Sequence, residues 1–195
     1  MRPIESIDRP LFVPENRSEL TRLPAAALEG VAPEVLAAAA RFLEDPTAAG
    51  FLEFEETVLR VFQHGASHVV AGVVGLLHRD AGHVQAAVDG AFSGSPRPLR
   101  HRGLRATPVR FLGGARLFLD TPYLSEDLRG RPGAKRGVGR RQATGTGRYP
   151  VLAALGIAHQ ATPALASEVA RQTVRTGSFE EAHQALAERG IGLDR

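Results

Sequence analysis

The stretch "LRATPVRFLGGARLFLDTPYL", from Leu104 to Leu124, decides the fold, because the periodicity of the residue pattern changes here. Residues that favour β-structure stand on both sides of Gly113-Gly114, which is typical of a β-hairpin closed by a two-residue turn. Pro108 has no amide hydrogen to donate, so the first strand is expected at the edge of a sheet. The stretch therefore predicts one β-hairpin.

The register of this hairpin follows from the expected turn. A two-residue turn places Arg110 opposite Leu117 and Phe111 opposite Arg116, so neither face of the hairpin is expected to be wholly apolar. One face would then contact either water or the phosphate backbone of a nucleic acid.

Upstream of the hairpin, helical spacing of apolar residues dominates from residue 17 to residue 98, after an irregular, proline-bearing lead-in at 1–16. The expected buried face of the longest helical region carries Val58, Phe62, Val69, Val73 and Leu77. Its interior glycines, Gly65, Gly72 and Gly75, each weaken helix propensity. This region is therefore predicted as two helices or as one helix packed closely on a neighbour. The stretch from Arg79 to Pro98 is polar and contains glycine, and it is expected to end the helical half.

Residues 150–195 are predicted to be helical again. Thr162 and Pro163 suit the start of one helix, and Ser178 with Glu181 has the spacing of a capping box at the start of a second. The buried side of that second helix is expected to carry Phe179, Ala182 and Leu186. This arrangement is typical of a helix-turn-helix whose third, recognition helix is missing, since the chain ends just after Asp194.

Charge is distributed unevenly along the chain. The net charge is +3, but residues 97–148 hold 12 Arg and one Lys against three carboxylates, which gives +10 there and −7 elsewhere. A basic middle in an otherwise acidic chain is the pattern of a polyanion-binding segment. Arginine-rich composition arising from codon bias alone is the competing interpretation.

The glycine-rich basic loop, residues 126–149, joins the hairpin to the C-terminal helices. Its glycine spacing does not match the dinucleotide-binding GxGxxG pattern, and no Gly-Lys-Ser/Thr sequence of a P-loop occurs. A flexible basic segment that contacts phosphates remains, with a solvated loop as the alternative. The expected nucleic-acid-binding residues are Arg110 and Arg116 of the hairpin and Arg129, Arg131, Lys135, Arg136, Arg140, Arg141 and Arg148 of the loop.

Several classes of function find little support. The chain has no cysteine, which excludes disulfides and thiolate metal sites. His64 and His68 share a helical spacing, but no third ligand is evident, so no metal, catalytic residue or cofactor is predicted. The longest apolar run is nine residues, too short to cross a membrane, and no secretory signal is evident, so a cytoplasmic protein is expected.

Residues 104–193 resemble the N-terminal half of bacterial insertion-sequence transposases of the ISKra type. The resemblance rests on "VRFLGGARLFLDTPYL", on the Gly/Arg loop and on an ordered set of short motifs that follows them. These motifs are Tyr149-Pro150, Leu155-Gly156-Ile157, Thr162-Pro163-Ala164 and Ser178-Phe179-Glu180-Glu181-Ala182. Relatives in this family carry a Cys pair near the hairpin, and this chain has none.

The resemblance implies a DNA-binding region that precedes a separate RNase H-like (DDE-type) catalytic domain, which would begin after Arg195. No catalytic acids carry over, so the chain is not expected to act as an enzyme. Full-length transposase or a second copy of the chain is an expected partner besides DNA. A transposase-derived repressor and a structural RNA-binding protein are the alternative functions.

Together these observations predict a mainly α-helical chain with one β-hairpin, an α+β fold. The expected order is the lead-in at 1–16, helices at 17–98, the hairpin at 99–125, the basic loop at 126–149 and the helix pair at 150–195.

Overall fold

The computed structural model describes residues 11–126 and 147–188, and this part of the chain is mainly helical with a small antiparallel sheet, as predicted. A short 3-10 turn at Arg17–Thr21 precedes the first helix. The elements are then α1 (Arg22–Glu44), α2 (Ala48–Arg79), α3 (Ala81–Ser93), β1 (Leu99–Arg110), β2 (Arg116–Glu126), β3 (Gly147–Arg148), α4 (Pro150–Ala154), α5 (Pro163–Arg175) and α6 (Phe179–Glu188).

Helices α1 and α2 form a long helical hairpin. The chain reverses at Asp45–Thr47, where the Thr47 hydroxyl accepts a hydrogen bond from the Gly50 amide at 3.1 Å and caps α2. Two glycines of α2 let the helices approach closely: Gly65 lies against Val31, and Gly72 against Leu23. Of the two predicted possibilities, the structure therefore has one helix packed closely on a neighbour.

The predicted buried face of α2 is wrong. The buried residues of the helix are mostly small, namely Val61, Gly65, Ser67, Ala71, Gly72 and Gly75. Phe62 and Val73, which were expected inside, are 49% and 44% exposed. Two neighbours cover α2, and both approach so closely that only small side chains fit between the backbones.

Residues 79–98, where the helical half was expected to end, still contain a helix of 13 residues, α3. Asp80 begins this helix, because its carboxylate accepts a hydrogen bond from the His83 amide at 3.1 Å. This bond, with help from the Gly82 amide and Arg17, holds the pKa of Asp80 below its ordinary value of 3.8. The glycines of the stretch reduce helix propensity, but the side-chain cap and tertiary packing offset that loss.

The three strands lie in the order β1-β2-β3, so β1 is an edge strand, as Pro108 predicts. The predicted turn is wrong by one residue. Arg110 pairs with Arg116, and the Phe111 amide donates to the Ala115 carbonyl. The turn therefore consists of three residues, Leu112 to Gly114. Gly113 and Gly114 adopt φ of 97° and 92°, which a three-residue hairpin loop with glycine in the left-handed region accommodates.

Because a shift of one residue moves every side chain to the other face, the corrected register gives the hairpin a clean apolar face. That face carries Val109, Phe111, Ala115, Leu117 and Leu119. They pack with Ala71 of α2 and with Leu152 and Ile157 near α4, so the N-terminal helices and the sheet share one core. The expectation that neither face is apolar is therefore wrong.

Two polar contacts fix α2 on the hairpin turn. His64 Nδ1 donates to the Gly113 carbonyl at 2.9 Å, and Ser67 Oγ accepts from the Ala115 amide at 3.3 Å. Further along α2, Gly75 lies beside Leu117, and His78 Nε2 donates to the Asp120 carbonyl at 3.0 Å. The sheet therefore covers the C-terminal half of α2.

The C-terminal helix pair begins as predicted. Thr162 caps α5, with Pro163 at its first position, and Ser178 Oγ accepts from the Glu181 amide at 3.2 Å. Ala182 and Leu186 are buried, Leu186 against Leu165, but Phe179, the first residue of α6, is 82% exposed, which corrects its predicted burial. Residues 189–195, where a third helix was considered, lie outside the described residues.

One helical stretch, Arg17–Glu44, is long and apolar enough to cross a membrane by length and composition alone. A single such stretch near the N-terminus is weak support for a membrane span, and here it packs along α2.

Candidate nucleic-acid interface

Arginines gather at the end of the sheet opposite the Gly113-Gly114 turn, which we call the open end. The open end comprises residues 99–105 of β1, residues 123–126 of β2 and the whole of β3. Its arginines, with one from the preceding turn, are Arg97, Arg100, Arg102, Arg105 and Arg148. Among these, only Arg148 is a residue predicted from the sequence.

A β-bulge orients the arginines of β1. The register shifts between His101 and Leu104, where Gly103 adopts a φ of 88°. A bulge of this kind changes the face of the sheet to which the following side chains point, compared with regular strand alternation. At the bulge, Arg102 Nε donates to Ser125 Oγ at 2.8 Å, which ties Arg102 to the central strand.

Arg105 lies over an aromatic pair. Its guanidinium carbon is 3.6 Å from the centroid of the Tyr123 ring, and the rings of Tyr123 and Tyr149 are 5.0 Å apart. Gly147 of β3 makes this packing possible, because a Cβ there would coincide with the Tyr123 hydroxyl. A guanidinium held flat on a ring keeps its N–H edges available for a planar anion such as phosphate.

The charges at the open end are largely uncompensated. Arg97 forms a salt bridge with Glu126 at 2.9 Å, and Arg148 donates to the neutral Ser95 hydroxyl at 3.2 Å. Within the described residues, Arg100, Arg102, Arg105 and Arg148 form no salt bridge with a carboxylate. The open end is therefore electropositive.

Both attachment points of the basic loop lie at the open end. Ser125 pairs with Gly147, so the chain leaves the sheet after Glu126 and returns one strand away. The predicted residues Arg129, Arg131, Lys135, Arg136, Arg140 and Arg141 lie outside the described residues. The described chain ends before this loop at Glu126 and resumes after it at Gly147, both at the open end.

Arg110 and Arg116 lie at the other end of the hairpin. Leu124, the partner of Arg148, lies eight positions after Arg116 in β2. This spacing corresponds to about 27 Å at about 3.4 Å per residue. Arg110 and Arg116 stand directly opposite each other in the hairpin. The structure therefore divides the predicted arginines into two separate groups.

Arg110 also has a structural function. It is half-buried, its amide donates to the Gln160 carbonyl at 2.7 Å, and its carbonyl accepts from the Thr162 amide at 3.1 Å. These bonds join the hairpin turn to the start of α5. Arg116 is exposed on the same face.

The sequence contains a pattern that identifies the open-end arginines. All five lie within the stretch of +10 charge, and Arg100, Arg102 and Arg105 lie close together on one predicted strand. The irregular spacing between Arg102 and Arg105 spans Gly103, and a glycine inside a strand is the mark of a bulge.

His64 and His68, the histidine pair considered for metal binding, have ring centroids 4.4 Å apart. His64 is engaged with the Gly113 carbonyl, and the described residues contain no group of three His, Asp or Glu side chains that could hold a metal ion.

No protein-family model, curated protein or solved structure matches this chain.

Proposed function

We propose that this chain is the DNA-binding N-terminal part of an insertion-sequence transposase of the ISKra type, or a truncated derivative of one. In this proposal it holds DNA by the phosphate backbone and has no catalytic centre of its own. The observation that carries the proposal is the open end of the sheet, where Arg100, Arg102 and Arg105 share one face and both attachment points of the basic loop lie. The sequence resemblance supplies the biological context.

The contacts suggest how the phosphates are bound. Tyr123 holds the Arg105 guanidinium in place and Ser125 holds Arg102, so less side-chain freedom is lost when a phosphate binds. Exposed Arg105 beside half-buried Tyr123 also suits the edge of a nucleic-acid backbone, where sugar and phosphate alternate. In this proposal the Arg and Lys side chains of the basic loop add positive charge for the same phosphate backbone.

Contacts of this kind position a nucleic acid without reading its bases. Guanidinium groups bind every phosphate alike, and no helix of the proposed interface enters the major groove. We therefore expect weak sequence preference and strong dependence on salt. A protein that acts on chromosomal DNA works in the cytoplasm of a bacterial cell, with full-length transposase as a further partner.

The test compares two triple variants in a titration of labelled duplex DNA at several salt concentrations. The first changes Arg100, Arg102 and Arg105 to Ala. The control changes Arg41, Arg60 and Arg175 to Ala, which removes the same charge from the helices. The plot of log K against log salt should become shallower for the open-end variant, its slope shrinking in magnitude by about 3, at about 0.9 per lost phosphate contact. The control should leave the slope nearly unchanged.

Equal losses in the two variants would show that only net charge matters, and would overturn the proposed interface. Tighter binding of structured RNA than of duplex DNA by the wild-type chain would instead support the RNA-binding alternative.

A further inference from the structure

The side of the α1–α2 hairpin that faces away from the sheet is apolar and exposed to solvent. Leu36, Leu43 and Leu59 are 69%, 75% and 71% exposed. We call the whole surface the apolar helical face, and it consists of Leu28, Leu36 and Leu43 of α1 and Leu52, Leu59, Phe62, Val70 and Val73 of α2.

In α2 this face is a third side of the helix, distinct from the two sides that are covered. Gly65 and Gly72 face α1, while Ser67 and Gly75 face the N-terminal segment and the sheet. At about 100° per residue, the remaining side carries positions 52, 59, 66 and 73, spaced by seven, with Phe62, Val69 and Leu76 between them. This is the heptad spacing of a helix that packs on another helix.

The exposed leucines of α1 continue the same surface. Leu23, Val31 and Ala38 are the buried residues of α1, and each is followed five positions later by an exposed leucine, Leu28, Leu36 or Leu43, about 140° around the helix. The stripe of α2 lies about 110° from the contact with α1 in the same rotational sense. Since α1 and α2 run in opposite directions, these two rotations lead to the same side, away from the sheet. The two stripes therefore form one continuous face.

The sheet supports only part of this hairpin. Helix α2 has 32 residues and is about 48 Å long, and its contacts with the sheet extend from Gln63 to His78. The other half packs on α1 through a few side chains, among them Phe42 with Phe51 and Phe54. Two helices alone bury one stripe each, which leaves the second stripe of both helices uncovered.

We infer that a second copy of this chain covers the apolar helical face, so that two α1–α2 hairpins form an antiparallel four-helix bundle. The eight large side chains expose several hundred Å² of apolar surface, on the order of the roughly 800 Å² that each partner contributes to a standard interface. Small Ala66 lies in the middle of the α2 stripe, where two copies would cross most closely.

Glu55 of α2 lies on the apolar helical face, since it is 18 residues, or five full turns, before Val73 of the same stripe. The basic residues of the last turn lie on the covered sides instead, where His78 donates to the Asp120 carbonyl and Arg79 to the Pro14 carbonyl. The Glu55 carboxylate opposes an anionic membrane surface, which favours a second copy of the chain as the occupant.

The test measures the mass of the full chain in solution by analytical ultracentrifugation, at high salt and without nucleic acid. Wild type should sediment at twice the mass of one chain. Changing Leu59 and Phe62 to Glu should return it to one chain, because both residues are exposed and their replacement leaves the core intact. The matched control changes Val174 and Phe179 to Glu; these residues are 86% and 82% exposed on α5 and α6, and the variant should remain dimeric.

A cross-linking measurement keeps the inference testable if the Glu variant unfolds. The chain has no cysteine, so Ala66→Cys introduces a single thiol near the proposed two-fold axis, and Val174→Cys introduces one far from it. Mild oxidation should cross-link only the first into dimers. A monomeric wild type, equal cross-linking of both variants, or binding to anionic vesicles without self-association would overturn the inference. None of these measurements depends on DNA binding.

Discussion

Gly113 lies where the hairpin turn meets α2, and two constraints act on it. Its φ of 97° disfavours any side chain, and a Cβ there would lie 2.5 Å from the Gln63 carbonyl oxygen. Gly103, at the bulge, has a similar φ of 88°, but a Cβ added to it would meet no atom within 4 Å. A side chain at Gly103 would therefore introduce backbone strain alone, whereas one at Gly113 would add steric overlap with α2.

We expect Gly103→Ala to lower the free energy of unfolding by about 1 kcal/mol, the cost of a left-handed Ala. Gly113→Ala should cost about 3 kcal/mol or more, because α2 must also move away from the turn. Urea denaturation followed by circular dichroism measures both. Similar losses for the two variants would show that α2 does not pack on the turn as described.

Asp80 is a second residue whose effect can be isolated. Because its pKa is lowered in the folded chain, ionised Asp80 stabilises the fold above its ordinary pKa of 3.8. That contribution disappears as the pH falls through the lowered value. Asp80→Ala should therefore destabilise the chain near neutral pH, and its stability should approach that of wild type in acid. Denaturation at a series of pH values tests this, and a difference independent of pH would contradict it.

At the scale of elements, helical glycines have opposite functions in α2 and α3. A Cβ on Gly72 would overlap Leu23 and lie 3.0 Å from the Phe12 carbonyl, whereas a Cβ on Gly90 would meet nothing within 4 Å. Gly72 thus permits the close contact of α1 with α2. Gly90 only weakens its own helix.

Gly90→Ala should raise the free energy of unfolding by about 0.5–1 kcal/mol through helix propensity. Gly72→Ala should lower it by about 1–3 kcal/mol, because overpacking outweighs the same gain in propensity. Thermal unfolding of the two variants gives the signs directly. Stabilisation by both changes would mean that the helices of the hairpin are not in close contact.

At the scale of the whole molecule, Arg110 and Arg116 lie about 27 Å along the hairpin from Arg102 and Arg148, which corresponds to about 8 base pairs of B-form DNA. Arg105 is nearer, at about 17 Å from Arg110. A duplex must exceed about 8 base pairs to reach from the turn-end arginines to Arg102 and Arg148. The open end also carries the tethers of the basic loop, so it should contribute more to affinity than the turn end.

On a duplex of about 20 base pairs, Arg110→Ala with Arg116→Ala should reduce the magnitude of the salt slope by about 2, as should Arg100→Ala with Arg102→Ala. On a stem of about 6 base pairs, only the open-end pair should retain an effect. Binding isotherms at several salt concentrations check this. An equal effect of the turn-end pair on both lengths would show that the two groups do not act along one duplex.

Local sequence patterns predicted those features that depend on neighbouring residues. Gly113-Gly114 between β-favouring segments indicated the hairpin, Pro108 its edge position, and Thr162-Pro163 and Ser178 with Glu181 the starts of α5 and α6. Caps and turns involve residues a few positions apart, so their energetics are readable from the chain itself. The concentration of charge between residues 97 and 148 was readable for the same reason.

Tertiary structure alone decided which faces are buried and which arginines meet. The hairpin register followed from a three-residue turn held by His64 and Ser67 of α2, almost 50 residues away in the chain. Helix α2 buries its small residues because α1 and the sheet both approach closely, and this leaves its large apolar residues exposed. Arg148 lies at the same end of the sheet as Arg105 only because β3 pairs with β2. Such outcomes depend on contacts between distant segments, whose free energy no local pattern encodes.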